Sequence, residues 1–320
     1  MNIHIRFIVY FVFTSFNVFG ASARLSDLFD HSDSASHRKK HVGPTDFPRV
    51  NDVISIFPDV SCKIVSLLGT GTDSKVFEAS CGPKNEMFAI KYQYLDTSNG
   101  SKVLLRKDWE FLTLMKDVRG FPEAYYISPL GRFKSTRYSF QFMIMEKAGI
   151  PLRSYVVSPN WHVKQLIPIL SQALILLNEL HAKGFYFGDV HLENIMIKNN
   201  NVYLLDFGRA GPYMYSNGTL IPNSESILKA SRNYIYLSPG ELNNSKLSRR
   251  DDLFRLAECA VRILRGEWYR KQVTGKTADQ LFLWKKYTPV DQFLIDPIIQ
   301  SFYEYTRKLK FKEAPKYNFF

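Results

Sequence analysis

Hydrophobic and polar positions divide the chain into four regimes. Phe7 to Phe19 is an apolar run broken only by Thr14, Ser15 and Asn17. Arg24 to Arg49 is polar, rich in Ser, His and Lys, and without periodicity. From Val53 to about Met145 short β-rich runs dominate: Lys63–Leu68, Lys75–Ala79, Met87–Tyr92 and Phe140–Met145. One helical stretch interrupts them near Leu104–Asp117. Beyond Pro151 apolar residues recur at helical spacing, as Leu166, Ile167, Leu170, Leu174, Leu177 and Leu180 do. No internal repeat is present. Strands first and helices after predict an α+β fold of two lobes with a cleft between them.

The first regime reads as a targeting segment. Met1 to Arg6 is short and mildly basic, and Ala21-Ser22-Ala23 after the apolar run fits a small-x-small cleavage pattern. The run is shorter than the ~20 apolar residues that span a bilayer. The expectation is a signal peptide over 1–23, a polar linker over 24–52 and one domain over 53–320, with lobes of about 53–147 and about 148–320. The protein is accordingly expected in the secretory pathway or secreted, with no transmembrane span. The basic cluster His37-Arg38-Lys39-Lys40-His41 reads first as solvated linker, with a processing or anion-binding site as the alternative.

Composition adds two constraints. A chain of 320 residues that is 45% hydrophobic and 15% aromatic can fill a substantial core. Its formal net charge of +12 fits either a solubilising surface or acidic partners. No basic run alternates with aromatics as a single-strand nucleic-acid groove would, so no nucleic-acid partner is expected, and the chain reads as a monomer. Three cysteines make no disulfide framework. Cys62 and Cys81 bracket a predicted hairpin and can face each other across it only if a bulge intervenes, because Leu68 and Val76 should share a face. Asn99, Asn217 and Asn243 begin glycosylation sequons.

The candidate chemistry follows in chain order. Leu68-Gly69-Thr70-Gly71-Thr72-Asp73-Ser74-Lys75-Val76 resembles the glycine-rich loop of protein kinases, in which glycines let the backbone approach phosphates. Phe88-Ala89-Ile90-Lys91 resembles the strand whose lysine holds the α- and β-phosphates. Glu110, on the helix that follows, stands at the spacing kinases use for the ion partner of that lysine. Gly188-Asp189-Val190-His191-Leu192-Glu193-Asn194, followed by Asp206-Phe207-Gly208, is the most specific segment. Phosphoryl transfer needs a carboxylate to orient the incoming hydroxyl and accept its proton, and Asp189 fits that role. It also needs hard oxygen ligands for Mg²⁺, and Asn194 and Asp206 fit that one.

These motifs in this order resemble a protein kinase over about Val53 to Tyr317. Ser248-Arg249-Arg250-Asp251-Asp252-Leu253 and the tail from Phe302 to Tyr317 resemble the casein kinase 1 and vaccinia-related kinase group. The resemblance implies a bilobal kinase fold, with a β-rich N-lobe carrying one regulatory helix and a mainly helical C-lobe. It implies ATP and Mg²⁺ as cofactors and Ser/Thr hydroxyls of proteins, acidic or already phosphorylated, as substrates. It makes Ala89, Met145, Glu146 and Ala148 nucleotide-binding residues, with Met145 guarding the back of the adenine pocket. Asp252 becomes the buried aspartate that braces the catalytic loop.

Four departures stand out. Phe187-Gly188 replaces the usual His-Arg, which argues against activation by a phosphate docking there. His191 stands where a lysine would steady the γ-phosphate, and it is only partly charged near neutral pH. Ser74 takes the place of a third glycine, and Ser238-Pro239-Gly240-Glu241 carries an insertion relative to Ala-Pro-Glu. Two alternatives stay open on these grounds. One is a pseudokinase that binds or scaffolds; the other is a small-molecule kinase of the choline or aminoglycoside type.

Overall fold

The computed structural model describes residues 47–320 apart from 58–59, 72–73, 97–103, 130, 133–137, 225–233 and 295. The expected signal peptide, the basic cluster His37–His41, Thr72, Asp73 and Asn99 lie outside the described residues. The chain divides into two compact units. Among the described residues, one unit holds 47–117 and 121–147, and the other holds 118–120 and 148–320.

The N-terminal unit contains strands β1 (Val53–Phe57), β2 (Val60–Thr70), β3 (Ser74–Cys81), β4 (Glu86–Asp96), β5 (Ala124–Ile127), β6 (Gly131–Arg132) and β7 (Tyr138–Met145). They lie in the order β1-β2-β3-β4-β7-β5, with β6 also paired to β7. Side chains alternate across a strand, so β4 serves two layers. Ile90 and Tyr92 enter a core with Phe77, Phe142 and Ile144, and Tyr92 stacks on Phe142 at 5.0 Å between ring centres. Lys91 and Gln93 meet helix α1 (Leu104–Leu114) instead, and Gln93 Oε1 accepts from the Leu105 N–H at 2.7 Å. That bond satisfies one of the amide donors a helix start leaves open.

Cys62 and Cys81 lie directly opposite each other on β2 and β3 and are joined as a disulfide. The alternation argument against this pair fails for a local reason. The β2–β3 register shifts twice, between Ile64 and Ser66 and between Leu67 and Gly69, so Gly69 rather than Leu68 pairs with Val76.

The C-terminal unit holds β8 (Ile150–Pro151), α2 (Leu152–Tyr155), α3 (Leu166–Ala182), β9 (Phe185–Tyr186), β10 (Ile195–Lys198), β11 (Asn201–Leu204) and β12 (Gly211–Pro212). Helices α4 (Pro239–Leu242), α5 (Arg249–Val273), α6 (Ala278–Tyr287) and α7 (Pro297–Lys308) follow. Strand β10 pairs with β11 and β8, and β9 pairs with β12. Helix α5 runs through the core: Leu253, Phe254, Leu256, Ala257, Ala260 and Val261 are all buried. Its helical geometry breaks at Gly266, where φ is 40°. By length and composition Val163–Ala182 is apolar enough to cross a membrane. Its Leu170, Leu174, Leu177 and Leu180 are buried within this unit, as a core helix requires.

Candidate active site

The chemistry-bearing residues fall into two groups, one in each unit. In the N-terminal unit the glycine loop joins β2 to β3, and the Gly71 N–H donates to the Ser74 carbonyl at 2.8 Å. A Cβ on Gly71 would lie 2.8 Å from Ser74 Oγ, so Ser74 and Gly71 fit each other in a tight turn. Ala89 and Met145 pair across β4 and β7 and are both buried. The Glu146 N–H donates to the Glu123 carbonyl at 2.8 Å, and Ala148 opens the C-terminal unit, buried.

Lys91 has a different partner from the one expected. Its Nζ lies 2.6 Å from Asp108 Oδ2, while Glu110 pairs with Arg106 at 3.1 Å. Helix periodicity is the reason. Leu105, Asp108, Phe111, Leu112 and Met115 form the buried stripe of this segment, at steps of three and four. Glu110 is two residues, more than half a turn, away from Asp108. The same periodicity, applied to the acids of this helix, would have singled out Asp108 from sequence.

In the C-terminal unit the loop that carries Asp189 is braced by a buried carboxylate. Asp252, fully buried, accepts the Phe187 N–H at 2.7 Å and the Gly188 N–H at 2.6 Å, and contacts His181 Nε2 at 2.9 Å. His181 Nδ1 in turn lies 2.6 Å from the hydroxyl of Tyr317, near the end of the chain. Asn194 Nδ2 donates to the Asp189 carbonyl at 3.0 Å and to Asp189 Oδ2 at 3.2 Å. The Leu205 N–H donates to the Asn194 carbonyl at 3.0 Å, which ties the loop to the strand leading into Asp206. Phe207 is buried edge-on against Phe187 at 5.3 Å, while Asp206 itself is exposed with φ at 69°.

Asp189 is ringed by basic side chains. His191 Nε2 stands 3.5 Å away, Arg209 3.4 Å and Arg255 3.6 Å. Burial opposes the charge of Asp189, but the His191 contact and the two guanidinium groups outweigh it and pull the carboxyl down to about 2. Arg209 also holds Glu241 at 2.7 Å, and the buried Arg255 grips the same carboxylate at 2.7 Å. Arg209, Arg255 and this use of Glu241 were not singled out from sequence. The arginine directly after Asp-Phe-Gly, and an arginine set among Leu253, Phe254, Leu256 and Ala257, were the available signals.

The donor set suits Mg²⁺. Among the described residues no group of three or more His, Cys, Asp or Glu forms a metal cage. Mg²⁺ needs less, since one or two protein oxygens serve beside substrate phosphates and water. Asp206 offers a carboxylate, and the Asn194 bonds to Asp189 both run through Nδ2, so its amide oxygen could face a cation.

Comparison with known proteins places this geometry. Residues 62–305 match the protein kinase domain. A probable serine/threonine-protein kinase of Dictyostelium discoideum is 25% identical over 80% of this chain and 51% of its own length. Casein kinase I homolog 3 of Schizosaccharomyces pombe is 24% identical over 81% of this chain and 60% of its own. A pseudokinase of Monkeypox virus is 28% identical over 37% of this chain and 39% of its own. This chain thus spans about half the length of these curated relatives. The solved structure of vaccinia related kinase 3 superposes with a TM-score of 0.62 at 20% identity, covering 85% of this chain and 88% of that one. The N-terminal sheet with its helix and the helical C-terminal unit are therefore the two lobes of a kinase fold.

Proposed function

The chain belongs to the protein kinase family, and from that premise we propose that it transfers the γ-phosphoryl group of ATP to Ser or Thr hydroxyls of proteins. The observation that carries this reading is the Asp189–Asn194 pair on a loop fixed by Asp252. Kinase chemistry asks little covalent work of a protein and much positioning. Asp189 is ionised throughout the physiological range, so it stands ready to accept a hydrogen bond from a substrate hydroxyl. A carboxylate held near 2 is a weak base, which suits orienting the hydroxyl and receiving its proton late. Asn194 and Asp206 would hold Mg²⁺, and Lys91, steadied by Asp108, would meet the nucleotide phosphates. Bound Mg²⁺ neutralises the charge that develops on the phosphates.

Acidic or phosphorylated substrates are favoured by the net charge of +12 and by the casein kinase relatives. A secretory location is favoured by the apolar run before Ala21-Ser22-Ala23. The Cys62–Cys81 disulfide supports it, because such bonds persist mainly in oxidising compartments.

A radiolabelled ATP assay with Mg²⁺, offering casein and a basic protein side by side, tests the reading against an Asp206→Ala blank. Label on casein that disappears in the blank supports both the activity and the acidic preference. Equal label on both proteins would remove the preference and leave the activity. The second reading, a pseudokinase, is favoured by His191 and Ser74 and by the viral relative. ATP binding with no label on either protein would select it.

A further inference from the structure

The C-terminal unit holds a second basic feature that the phosphoryl-transfer reading does not use. Helices α4, α5, α6 and α7 line a half-open pocket of about 130 Å³. Arg250, Lys286 and Arg307 all line it, against a single lining carboxylate, Asp251. That carboxylate is committed elsewhere: Oδ1 accepts from Ser238 Oγ at 2.5 Å and Oδ2 from the Ser248 N–H at 2.8 Å. Arg250 reaches Asp251 only at 3.7 Å, and among the described residues its buried Nε has no hydrogen-bond partner. A buried guanidinium nitrogen without an acceptor is costly, and a ligand oxygen would satisfy it.

The other two cations are held in place by backbone oxygens. Lys286 Nζ donates to the Arg307 carbonyl at 2.7 Å, and Arg307 Nη1 donates to the Thr288 carbonyl at 2.6 Å. Glu304 answers part of the Arg307 charge. Among the described residues Lys286 therefore has no carboxylate of its own in contact, and burial followed by the charges of Arg250 and Arg307 lowers its pKa. Gly240 forms the wall beside Arg250. A Cβ there would come within 2.7 Å of the Arg250 guanidinium, so the absence of a side chain keeps that face open.

We propose that this pocket is an oxyanion site that takes a phosphate group, either as inorganic phosphate or as a phosphate monoester carried on a peptide. Guanidinium groups bind phosphate through directed, charge-assisted hydrogen bonds, and a lysine adds a point charge. The space admits several waters and so a tetrahedral oxyanion. Occupancy has a route to Asp189: Gly240 precedes Glu241, whose carboxylate holds both Arg209 and Arg255.

Calorimetric titration of the full chain tests the proposal, with inorganic phosphate, a phosphoserine peptide and its unphosphorylated twin as probes. Each runs at constant ionic strength in chloride and with nucleotide present, to occupy any phosphate site for ATP. Inorganic phosphate is expected to bind, and Lys286→Gln and Ser245→Glu are each expected to weaken it roughly tenfold or more. Ser245→Glu sets a negative charge on the pocket wall beside Gly240, whose carbonyl accepts the Ser245 N–H at 2.9 Å, so the two variants perturb different walls. Unchanged melting temperatures without phosphate certify that both variants fold. Tighter binding of the phosphopeptide than of inorganic phosphate assigns the site to peptide-borne phosphate, and equal binding assigns it to the free ion. Phosphate binding that neither variant weakens, or no binding above chloride, overturns the proposal.

Discussion

Gly188 stands immediately before Asp189 with a φ of 74°, and a Cβ there would lie 2.7 Å from the Arg209 carbonyl oxygen. The arginine usual at this position has been replaced by a residue the backbone requires. The guanidinium groups that reach Asp189 come instead from Arg209 and Arg255. Gly188→Ala should therefore destabilise the protein, since left-handed backbone costs an ordinary residue about 1–2 kcal/mol before any clash. In calorimetry that is a melting point lower by several degrees. The Lys91 partner yields a second test. Asp108→Asn should weaken ATP binding or turnover well beyond what Glu110→Gln does, as steady-state kinetics on both variants will show. Equal effects would restore Glu110 to the role expected from spacing. Glu241 provides a third. Burial opposes its charge, but Arg255 and Arg209 win and set its carboxyl at about 2 instead of 4.5. A depressed carboxyl stabilises the fold above its unfolded value and loses that contribution as pH falls through the folded one. Stability measured by urea unfolding should thus fall from about pH 4.5 toward pH 2, and Glu241→Gln should flatten the slope in that window.

Among the elements, hairpin β2–β3 shows where alternation stops being informative. The sequence placed both strands and the turn, but strict period-two reading set Cys62 and Cys81 on opposite faces. Two bulges reverse that, and bulges leave no mark in a pattern of apolar and polar positions. Thiol counting checks the bond directly. Cys259 is buried, and burial pushes its thiol up to about 12, so the native chain should take up no alkylating reagent. The denatured, unreduced chain should react once, and the denatured, reduced chain three times. Two or three reactive thiols before reduction would exclude the disulfide. Reducing it in the folded protein should cost on the order of 2–4 kcal/mol of stability. Helix α1 carries the complementary lesson. Its period was legible, and only the choice of acid along it went astray.

At the scale of the whole molecule, the order of motifs was enough to identify the fold. Glycine loop, lysine strand, Asp189 loop and Asp-Phe-Gly are short local signals, and the strands expected at Lys75–Ala79 and Met87–Tyr92 form within β3 and β4. What local signals cannot carry is contact between distant segments. The Arg209–Glu241–Arg255 network joins residues up to 46 apart in number, and Tyr317 reaches His181 from 136 residues away. Through His181 and Asp252 that tail contact backs the catalytic loop. The proposed transfer requires Asp189 to act on the substrate hydroxyl while other groups hold the nucleotide. The most direct measurement compares Asp189→Asn with the natural chain, reading phosphate transfer and ATP binding on the same preparations. Turnover reduced by about 10²-fold or more with ATP affinity within a few-fold of normal is the expected result. Undiminished transfer in the variant, or no transfer by either chain, would contradict it.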